Sequence, residues 1–269
     1  MANPMYRQIA DDLREQIESG ALPPGSQLKT ELELREQYDA SRNTVRDAIR
    51  WLTNLDLVET RPGQGTFVTE PKTPFVTTLS GDPLTGLGGG EGETFKAEVH
   101  AAHRKATNSP VQVEIQNATE EVAARLRVPK DTEVVLRHER RFIDGTPYSL
   151  QTSYYPMDLV NRGAKDLQKA INIKQGTVTY LRDVLGIKQV GYRDWITVRA
   201  PNAIEAEFFK LPSDGRVAMY EVFRTAFDGN QTPMRLTVTV YPADRNQLIF
   251  NSGTVPPPHN APGQDDTEV

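Results

Sequence analysis

The chain has no cysteine among its 269 residues. Disulfide bonds, thiolate metal sites and cysteine nucleophiles are therefore excluded. It also has no apolar run long enough to span a bilayer, and no positively charged leader followed by an apolar stretch. Hydrophobic residues make up 37% of the chain, enough for two modest domains with cores of their own. These features predict a soluble, cytoplasmic protein with no membrane partner.

Motifs for enzyme chemistry are also lacking. His100 and His103 lie three residues apart in a predicted strand, which would point them to opposite faces and prevent them from sharing a metal. The glycine run 88–90 is not followed by the Lys-Ser/Thr of a phosphate-binding loop, and no Gly-x-Ser-x-Gly segment occurs. We therefore predict no catalytic residue, no metal site and no cofactor, and we expect that the protein is not an enzyme.

The first 70 residues contain strong signals for short helices. Apolar residues at helical spacing over 6–17 predict a first helix. Thr30 and Glu33 form the capping-box pattern that begins a second helix, and Ser41 can cap a third. Two short strands within 57–68, joined by a turn that contains two glycines, predict a β-hairpin. Three helices followed by such a hairpin predict a winged helix-turn-helix.

The predicted third helix has two chemically different faces. Arg42, Asn43 and Arg46 fall on one side, and the two arginines are one turn apart. Because arginine pairs bidentately with guanine and asparagine with adenine, this face suits the major groove of DNA. A surface helix with solvated arginines is the alternative for the helix taken alone. The other side carries five apolar residues that we predict to be buried together, Val45, Ala48, Ile49, Leu52 and Leu55.

The charge balance affects how this N-terminal winged helix-turn-helix (the head) would bind DNA. The formal net charge is −5, and residues 1–70 carry eight basic against twelve acidic side chains, a net of −4. Because phosphate neutralisation supplies most non-specific affinity, one copy would bind double-stranded DNA weakly. We therefore expect a homodimer that places two recognition helices on a palindromic operator.

Four segments of the N-terminal region occur in a characteristic order: YRQIA at 6–10, LPPGSQL at 22–28, SRNTVRDA at 41–48 and GQGTFV at 63–68. With them, residues 5–69 resemble the GntR family of bacterial transcription regulators. The resemblance implies DNA contacts from the third helix and the tip of the wing. The residues implicated in DNA binding are Lys29, Thr30, Ser41, Arg42, Asn43, Thr44, Arg46, Pro62, Gly63, Gln64 and Gly65.

The start of the second helix departs from this family. The family usually has Pro-Ser-Glu-Arg there, whereas this chain has Lys29, Thr30, Glu31 and Leu32. A groove-contacting arginine is therefore missing, and Lys29 would compensate only by touching phosphate. The operator sequence of relatives does not carry over.

Composition divides the rest of the chain. Residues 71–94 are rich in proline and glycine and predict a flexible linker, with a short strand at 75–79 as the alternative within it. Residues 95–251 alternate predicted strands and helices, with hairpins at 134–155 and 217–241. We also predict a strand at 193–198 and helices at 120–126, 178–185 and 203–209. Residues 252–269 predict a disordered tail.

The region 95–250 also shows a family resemblance, carried by RFIDGTP at 141–147, the following YYP at 154–156, and Asp244-Arg245. It resembles the UTRA effector domain of the HutC subfamily, which has a chorismate-lyase-like fold and binds small molecules. Together with the head, this implies an α+β chain: an N-terminal winged helix-turn-helix joined to an antiparallel sheet domain with helices, which binds the effector and dimerises.

Relatives that sense sugar phosphates suggest where the effector binds. Mapped by motif, the candidate residues are Glu139, Arg141, Gln151, Arg193, Arg235 and Tyr241. Three of them depart from the pattern: Glu139 replaces an arginine, and Gln151 and Arg235 each replace a glutamate. Because an unpaired buried charge is costly, a ligand must match these charges. The departures argue against an aminosugar phosphate and favour an acidic effector. The alternative is that the arginines only form cross-strand ion pairs with Glu139, Asp194 or Glu221.

The sequence therefore predicts a DNA-binding transcription regulator, most simply a repressor, whose operator affinity is set by a small-molecule effector. Two other functions stay open. One is a lyase-like enzyme that its head tethers to DNA, since fold alone does not decide chemistry. The other is a constitutive DNA-binding protein whose C-terminal domain only dimerises.

Overall fold

The computed structural model describes residues 3–70, 74–79, 92–212 and 215–252. The chain forms two compact units, Met1–Lys72 and Thr73–Val269. Most of the linker predicted at 71–94, and all but the first residue of the tail predicted at 252–269, lie outside the described residues. Among the described helices, none is both long enough and apolar enough to cross a membrane.

The N-terminal unit is a winged helix-turn-helix, as predicted. A single apolar core, which includes Ile9, Leu34, Val45 and Leu52, joins the helices to the hairpin. Leu55 was predicted to share this core, but it is exposed because the third helix ends one residue before it. The elements are α1 (Met5–Glu18), α2 (Glu31–Tyr38), α3 (Arg42–Asn54), β1 (Val58–Arg61) and β2 (Gly65–Val68).

Local hydrogen bonds fix where α2 and α3 begin. The Thr30 hydroxyl accepts the N–H of Glu33 at 3.3 Å, and the Glu33 carboxylate accepts the N–H of Thr30 at 2.8 Å, so the predicted capping box is present. The Ser41 hydroxyl accepts the N–H of Thr44 at 3.2 Å and caps α3. Between the helices, Asp39 adopts a left-handed φ of 47°, which turns the chain within a few residues.

The C-terminal unit is built around a seven-stranded antiparallel sheet. In chain order the elements are β3 (Phe75–Thr78), α4 (Gly92–Ala101), β4 (Ala106–Asn108), β5 (Gln112–Asn117), α5 (Glu120–Leu126), β6 (Glu133–Ile143), β7 (Thr146–Pro156), α6 (Met157–Asn161), a 3-10 turn (Lys165–Gln168), α7 (Thr177–Leu185), β8 (Gln189–Arg199), α8 (Ala203–Phe209), β9 (Met219–Asp228), β10 (Pro233–Pro242) and β11 (Asn246–Ile249). The main strand order of the sheet is β4-β6-β7-β10-β9-β8, and β5 also pairs with β6. Strands β3 and β11 form a separate parallel pair.

Most predicted elements of this unit are confirmed. The two predicted hairpins are β6–β7 and β9–β10, and the strand expected at 193–198 lies within β8. The helices predicted at 120–126, 178–185 and 203–209 are α5, α7 and α8. Residues Phe75–Thr78 form a strand, so within the predicted linker the alternative of a short strand is confirmed there.

The strand predicted around His100 and His103 is wrong. His100 lies in the last turn of α4, and His103 follows that helix with a φ of 55°. Phe95 and Val99 are one helical turn apart and both are buried, so a helical period governs this segment. The two histidines are therefore not separated by the two faces of a strand. Among the described residues, no group of three or more His, Cys, Asp or Glu is placed to hold a metal.

Strand register decides which side chains share a face of the large sheet, because directly opposed residues of antiparallel strands point the same way. One row runs from Glu139 through Gln151 and Thr239 to Val222. This face is covered by apolar clusters that contain Phe95 on one side and Leu167 on the other. The opposite face packs against α5, through residues that include Val122, Val134 and Leu236.

Candidate functional site

Helix α3 presents its polar residues in its first two turns. Arg42, Asn43 and Arg46 are exposed, whereas Val45 is buried, so the predicted division of faces is confirmed. Glu31, at the start of α2, joins the two arginines. Its carboxylate accepts a hydrogen bond from Arg42 Nε at 3.2 Å and another from Arg46 Nε at 3.0 Å. Both bonds use Nε, and the terminal nitrogens of the two guanidinium groups are not part of them.

We call Glu31, Arg42 and Arg46 the Glu31 clamp. The guanidinium of Arg46, helped by that of Arg42, holds the pKa of the Glu31 carboxyl below its usual value. Glu31 is therefore ionised at neutral pH. It neutralises part of the arginine charge and restricts both long side chains to one region, which reduces the entropy that they would lose on binding.

The wing tip is narrow and exposed. Pro62, Gly63, Gln64 and Gly65 are all exposed, and Gly63 has a φ of 73°, a conformation that favours glycine. The backbone carbonyl of Gln64 accepts a hydrogen bond from the amide of Gln27 at 2.8 Å, which ties the tip to the loop between α1 and α2. The predicted wing residues therefore form one protruding turn.

The other residues predicted to touch DNA have structural roles as well. Thr30 and Ser41 cap α2 and α3, and the Thr44 hydroxyl lies 2.8 Å from that of Ser41. Lys29 donates a hydrogen bond to the side chain of Gln37 at 2.7 Å. Leu32, which stands where the family has an arginine, is exposed. The predicted DNA-binding residues of the two helices thus lie at the beginnings of α2 and α3.

In the C-terminal sheet, one face carries a buried layer of polar side chains. Four of the six predicted effector residues lie on this face and are buried, Arg141, Gln151, Arg235 and Tyr241. Glu139 lies opposite Gln151 on the same face, is half-buried, and accepts a hydrogen bond from Asn108 at 3.3 Å. We call this face the polar layer; its buried members are Arg137, Arg141, Ser149, Gln151, Ser153, Arg224, Arg235, Thr237, Thr239 and Tyr241.

The predicted residues of the polar layer do not converge on one point. Arg141 pairs with Ser149, and Leu236 pairs with Tyr154, so Arg235 lies beside the next residue of β7, Tyr155. The rows of Arg141 and Arg235 are therefore six residues apart, about 20 Å along the strand. Gln151 lies between them. A ligand that contacts both arginines must be extended.

Arg193 does not belong to the polar layer. It is opposed to Thr225, which is opposed to Leu236, so it lies on the other face of the sheet, and it is exposed. The arginine that β9 contributes to the polar layer is Arg224, which the sequence analysis missed. Alternation along β9 groups Arg224 with Val222 and Ala226, but alternation alone does not say which face that group occupies.

Arg137 was also missed, and its contacts explain its burial. Its Nη1 donates to the backbone carbonyls of Asp166, Leu167 and Lys169 at 3.3, 2.7 and 2.9 Å. Its Nη2 donates to the carbonyl of Ile171 at 2.7 Å. Arg137 therefore organises the loop around the 3-10 turn, a structural role.

Arg224 links the polar layer to the end of β3. It forms two hydrogen bonds to the carboxylate of Asp194, at 2.7 and 2.5 Å, and its Nη2 also donates to the backbone carbonyl of Leu79 at 2.8 Å. The Tyr192 hydroxyl donates to the same carbonyl at 2.6 Å, and the guanidinium lies 3.8 Å from the centre of the Tyr192 ring. Leu79 directly follows β3, so two side chains of the sheet hold the chain where that strand ends.

Glu98 of α4 adds a titratable carboxyl next to this contact. Burial raises the pKa of Glu98 to about 7, although hydrogen bonds from Thr78 and the charge of Arg224 act in the opposite direction. Its Oε2 is buried and has no hydrogen-bond partner among the described residues. No local sequence pattern indicates this carboxyl, because only the fold brings α4 against β3.

The centre of the polar layer offers hydrogen-bonding atoms that the described residues leave unsatisfied. Gln151 donates to the Ser153 hydroxyl at 3.5 Å, and that hydroxyl lies 3.1 Å from the hydroxyl of Thr237. The buried Oε1 of Gln151 and Oγ of Ser149 have no hydrogen-bond partner in the part of the chain that the structure describes. Because native proteins rarely leave such atoms unsatisfied, these two positions are suited to a polar ligand.

The three acids that could have formed cross-strand ion pairs with the candidate effector arginines contact other residues. Asp194 pairs with Arg224, and Glu221 pairs with Arg199 at 2.9 Å. Glu139 accepts from Asn108, as described above. The described contacts of these three acids thus do not include the arginines that the sequence analysis assigned to the effector.

Comparison with known protein families identifies both units. Residues 5–68 match the family described as bacterial regulatory proteins, gntR family. Residues 101–247 match the UTRA domain. The two matches cover the winged helix-turn-helix and most of the sheet unit described above.

Individual relatives support the same family assignment. The chain is 30% identical over 246 residues to the HTH-type transcriptional repressor NagR of Bacillus subtilis (strain 168). The aligned region covers 91% of this chain and 93% of NagR. It is 25% identical over 264 residues to the HTH-type transcriptional regulator YurK of the same organism, covering 93% and 96%. A crystal structure described as a GntR-family transcriptional regulator shares the fold, with a TM-score of 0.67 at 22% identity, covering 94% of this chain and 99% of that one.

Proposed function

Because this chain belongs to the GntR family of bacterial transcription regulators and carries a UTRA domain, we propose that it represses transcription as a homodimer bound to a palindromic operator. It is a DNA-binding transcription regulator controlled by an effector. In this proposal it acts in the cytoplasm, binds an acidic effector, performs no catalysis and needs no cofactor.

The Glu31 clamp is the observation that carries the DNA-binding half of the proposal. Arg42, Asn43 and Arg46 are the residues that would read base edges, because they share the exposed face at the start of α3. Lys29, Thr30, Ser41 and Thr44 would contact the DNA backbone at the helix starts, where N–H groups favour phosphate. The wing tip, Pro62, Gly63, Gln64 and Gly65, would follow the adjacent groove.

The net negative charge of the head supports a dimer. With a net charge of −4 over residues 1–70, attraction to phosphate is confined to the clamp and its surroundings. Two heads on two half-sites compensate for this, because linking two binding events raises the effective concentration of the second. Half-sites related by a two-fold axis then give a palindrome.

The polar layer is the observation that supports effector binding in this proposal. Gln151 and Ser149 offer buried hydrogen-bonding atoms, and Arg141 and Arg235 flank them as buried cations on the same face. A hydroxylated carboxylic acid matches this set: hydroxyls can bond to the amide and the serine, and the carboxylate can pair with an arginine. Glu139, at the rim of the layer, disfavours a second acidic group beside Arg141.

Arg224 provides a route from the effector to the head. It is part of the polar layer, and it also holds the Leu79 carbonyl that follows β3, the first strand after the N-terminal unit. An effector that changes the position of Arg224 would alter this hold on the end of β3, which follows the N-terminal unit in the chain. The shift in operator affinity cannot exceed the difference in effector affinity between the two states.

The full-length protein should select a palindromic sequence from a random double-stranded oligonucleotide library. We expect the bound DNA to be released when hydroxylated acids are screened against the complex. Failure to enrich any sequence at low salt would overturn the DNA-binding proposal. Enrichment without a thermal shift for any acid would favour a constitutive DNA-binding protein. Turnover of an acid, abolished in Arg141→Gln, would favour an enzyme tethered to DNA.

A further inference from the structure

Leu32 is an exposed apolar residue in the first turn of α2. It is 58% exposed, the highest value among the large apolar residues that the structure describes in the N-terminal unit, where Met5 and Leu55 have 41% and 42%. Leu34, two residues further on, is buried in the core. Because single exposed leucines are common on protein surfaces, exposure alone assigns no role, and the surroundings of Leu32 have to be considered.

The surface around Leu32 is charged. Arg35 and Glu36 share a helix face with it, at the i+3 and i+4 positions, and both are exposed. The apolar face of α2 lies elsewhere, with Leu34 buried and Tyr38 packed against the core. On α2, Leu32 is therefore not part of an apolar stripe that another protein surface would cover. It suits a mostly polar partner that offers one apolar group.

The start of α2 lies against the recognition arginines. Leu32 directly follows Glu31, whose carboxylate accepts hydrogen bonds from Arg42 at 3.2 Å and from Arg46 at 3.0 Å. Side chains of a helix lean toward its N-terminus, so Leu32 projects toward the exposed start of α2. DNA that contacts both arginines and the start of α2 therefore comes next to this leucine.

The chemistry of leucine limits what it can contact on DNA. Its side chain has no hydrogen-bond donor or acceptor, so it cannot bond to a phosphate oxygen or to the polar atoms of a base edge. The apolar group that bases present in the major groove is the C5-methyl group of thymine. We propose that Leu32 is a specificity-determining residue that contacts this methyl group of one thymine in each half-site. The inference rests on the base reading by α3 proposed above and adds a contribution from α2.

Selection from a random double-stranded library locates the base. The full-length natural protein and Leu32→Ala are each used for selection, and their enriched half-sites are compared. We expect one position at which the natural protein enriches thymine and Leu32→Ala enriches no base, while the other positions stay the same. Because Leu32 is exposed, the variant should fold like the natural protein, and equal thermal midpoints would verify this.

Replacing that thymine by deoxyuridine tests the methyl contact itself. Deoxyuridine keeps every hydrogen-bonding group of thymine and lacks only the methyl. Burial of one carbon group of this size corresponds to about a fourfold change in affinity. We therefore expect deoxyuridine to weaken operator binding by the natural protein about fourfold and to leave binding by Leu32→Ala unchanged. A purely structural role of Leu32 would not couple the variant to a single methyl group.

Leu55→Ala is the matched control. Leu55 is also an exposed leucine of the head, but it follows the end of α3, about 20 Å along the helix axis from Arg42. Leu55→Ala should keep both the thymine preference and the fourfold effect of deoxyuridine. If the effect disappeared in both variants, it would report a general change in the head, and the role assigned to Leu32 would be wrong.

The outcomes separate this inference from the proposed function. If the natural protein enriches no sequence, base reading by α3 fails and the inference fails with it. If a sequence is enriched but deoxyuridine has no effect on the natural protein, or has the same effect on Leu32→Ala, the methyl contact is wrong and base reading by α3 stands. A fourfold effect in the natural protein and in Leu55→Ala, absent in Leu32→Ala, supports the inference.

Discussion

Arg224 and Asp194 form a doubly hydrogen-bonded ion pair between adjacent strands, and only 3% and 12% of their side chains are exposed. The same guanidinium holds the carbonyl of Leu79. One arginine therefore joins the edge strand β8, the polar layer and the end of β3. Any change in this contact acts on three parts of the C-terminal unit at once.

Removing Asp194 should destabilise the C-terminal unit strongly. Asp194→Ala would leave Arg224 as a buried cation without its carboxylate, and breaking such a pair costs about 3–5 kcal/mol. Urea unfolding of the full-length protein measures the loss. Asp183→Ala is the control, because Asp183 pairs with Arg182 on the surface, and we expect little change there. Equal, small effects in both variants would contradict the role assigned to Arg224.

The recognition arginines should contribute to sequence-specific binding. We expect Arg42→Ala and Arg46→Ala each to cost about 1–3 kcal/mol of operator binding, with little loss on random DNA, if these side chains read bases. Titration of both DNAs at one fixed salt concentration measures the difference. Arg14→Ala, which changes an exposed arginine of α1, serves as the control. A loss of equal size on random DNA would show that the two arginines contact phosphate.

Glu31 should limit non-specific binding. Glu31→Gln removes the charge that partly neutralises Arg42 and Arg46, so we expect affinity for random DNA to rise. Because the two side chains also lose their fixed positions, the ratio of operator to random-DNA affinity should fall. Binding measured over a series of salt concentrations gives both quantities. An unchanged ratio would mean that Glu31 does not position the arginines.

Much of the fold was predictable from the sequence because local rules decide it. The capping box at Thr30 and Glu33, the Ser41 cap and the apolar period of α3 each depend on residues within a few positions of one another. The two hairpins follow from turn residues between strands in the same way. Around His100, a helical period was mistaken for strand alternation.

The candidate effector site was only partly predictable, because it depends on strand register. Arg193 and Arg224 lie on neighbouring strands, and their sequence surroundings do not show which of them faces the polar layer. A shift of one residue in register exchanges the two faces of a strand. The contacts of Glu98 with Thr78 and of Arg224 with Leu79 join distant segments, and no local pattern indicates them.

The face of the sheet on which each candidate residue lies leads to a test with effector. Once an acid that shifts the thermal midpoint is found, Arg141→Gln and Gln151→Leu should weaken its binding at least tenfold, because Gln151 lies at the centre of the polar layer and Arg141 flanks it. Arg193→Gln should leave it unchanged, because Arg193 is exposed on the opposite face. Calorimetric titration of the three variants measures this. Loss of binding in Arg193→Gln alone would place the effector on the other face.

The stability of the C-terminal unit should depend on pH through Glu98. Its pKa is about 7 in the folded chain against an ordinary value of 4.5, so the folded state holds this proton more tightly than the unfolded state. The resulting stabilisation is fully present below pH 4.5 and is lost as the pH rises to about 7. One pKa unit corresponds to about 1.4 kcal/mol, and partial exposure screens part of it, so we expect a loss on the order of 2 kcal/mol.

Glu98→Gln isolates this contribution, because glutamine keeps the size of the side chain and does not titrate. Urea unfolding of both proteins at several pH values between 4.5 and 8 gives the difference in their free energies of unfolding. The contributions of the other carboxyl groups cancel in this difference. We expect this difference to change steadily in favour of Glu98→Gln as the pH rises, and to level off above pH 7. A difference that does not vary with pH would mean that Glu98 ionises at its ordinary pKa. Burial beside Arg224 would then not raise the pKa of this carboxyl.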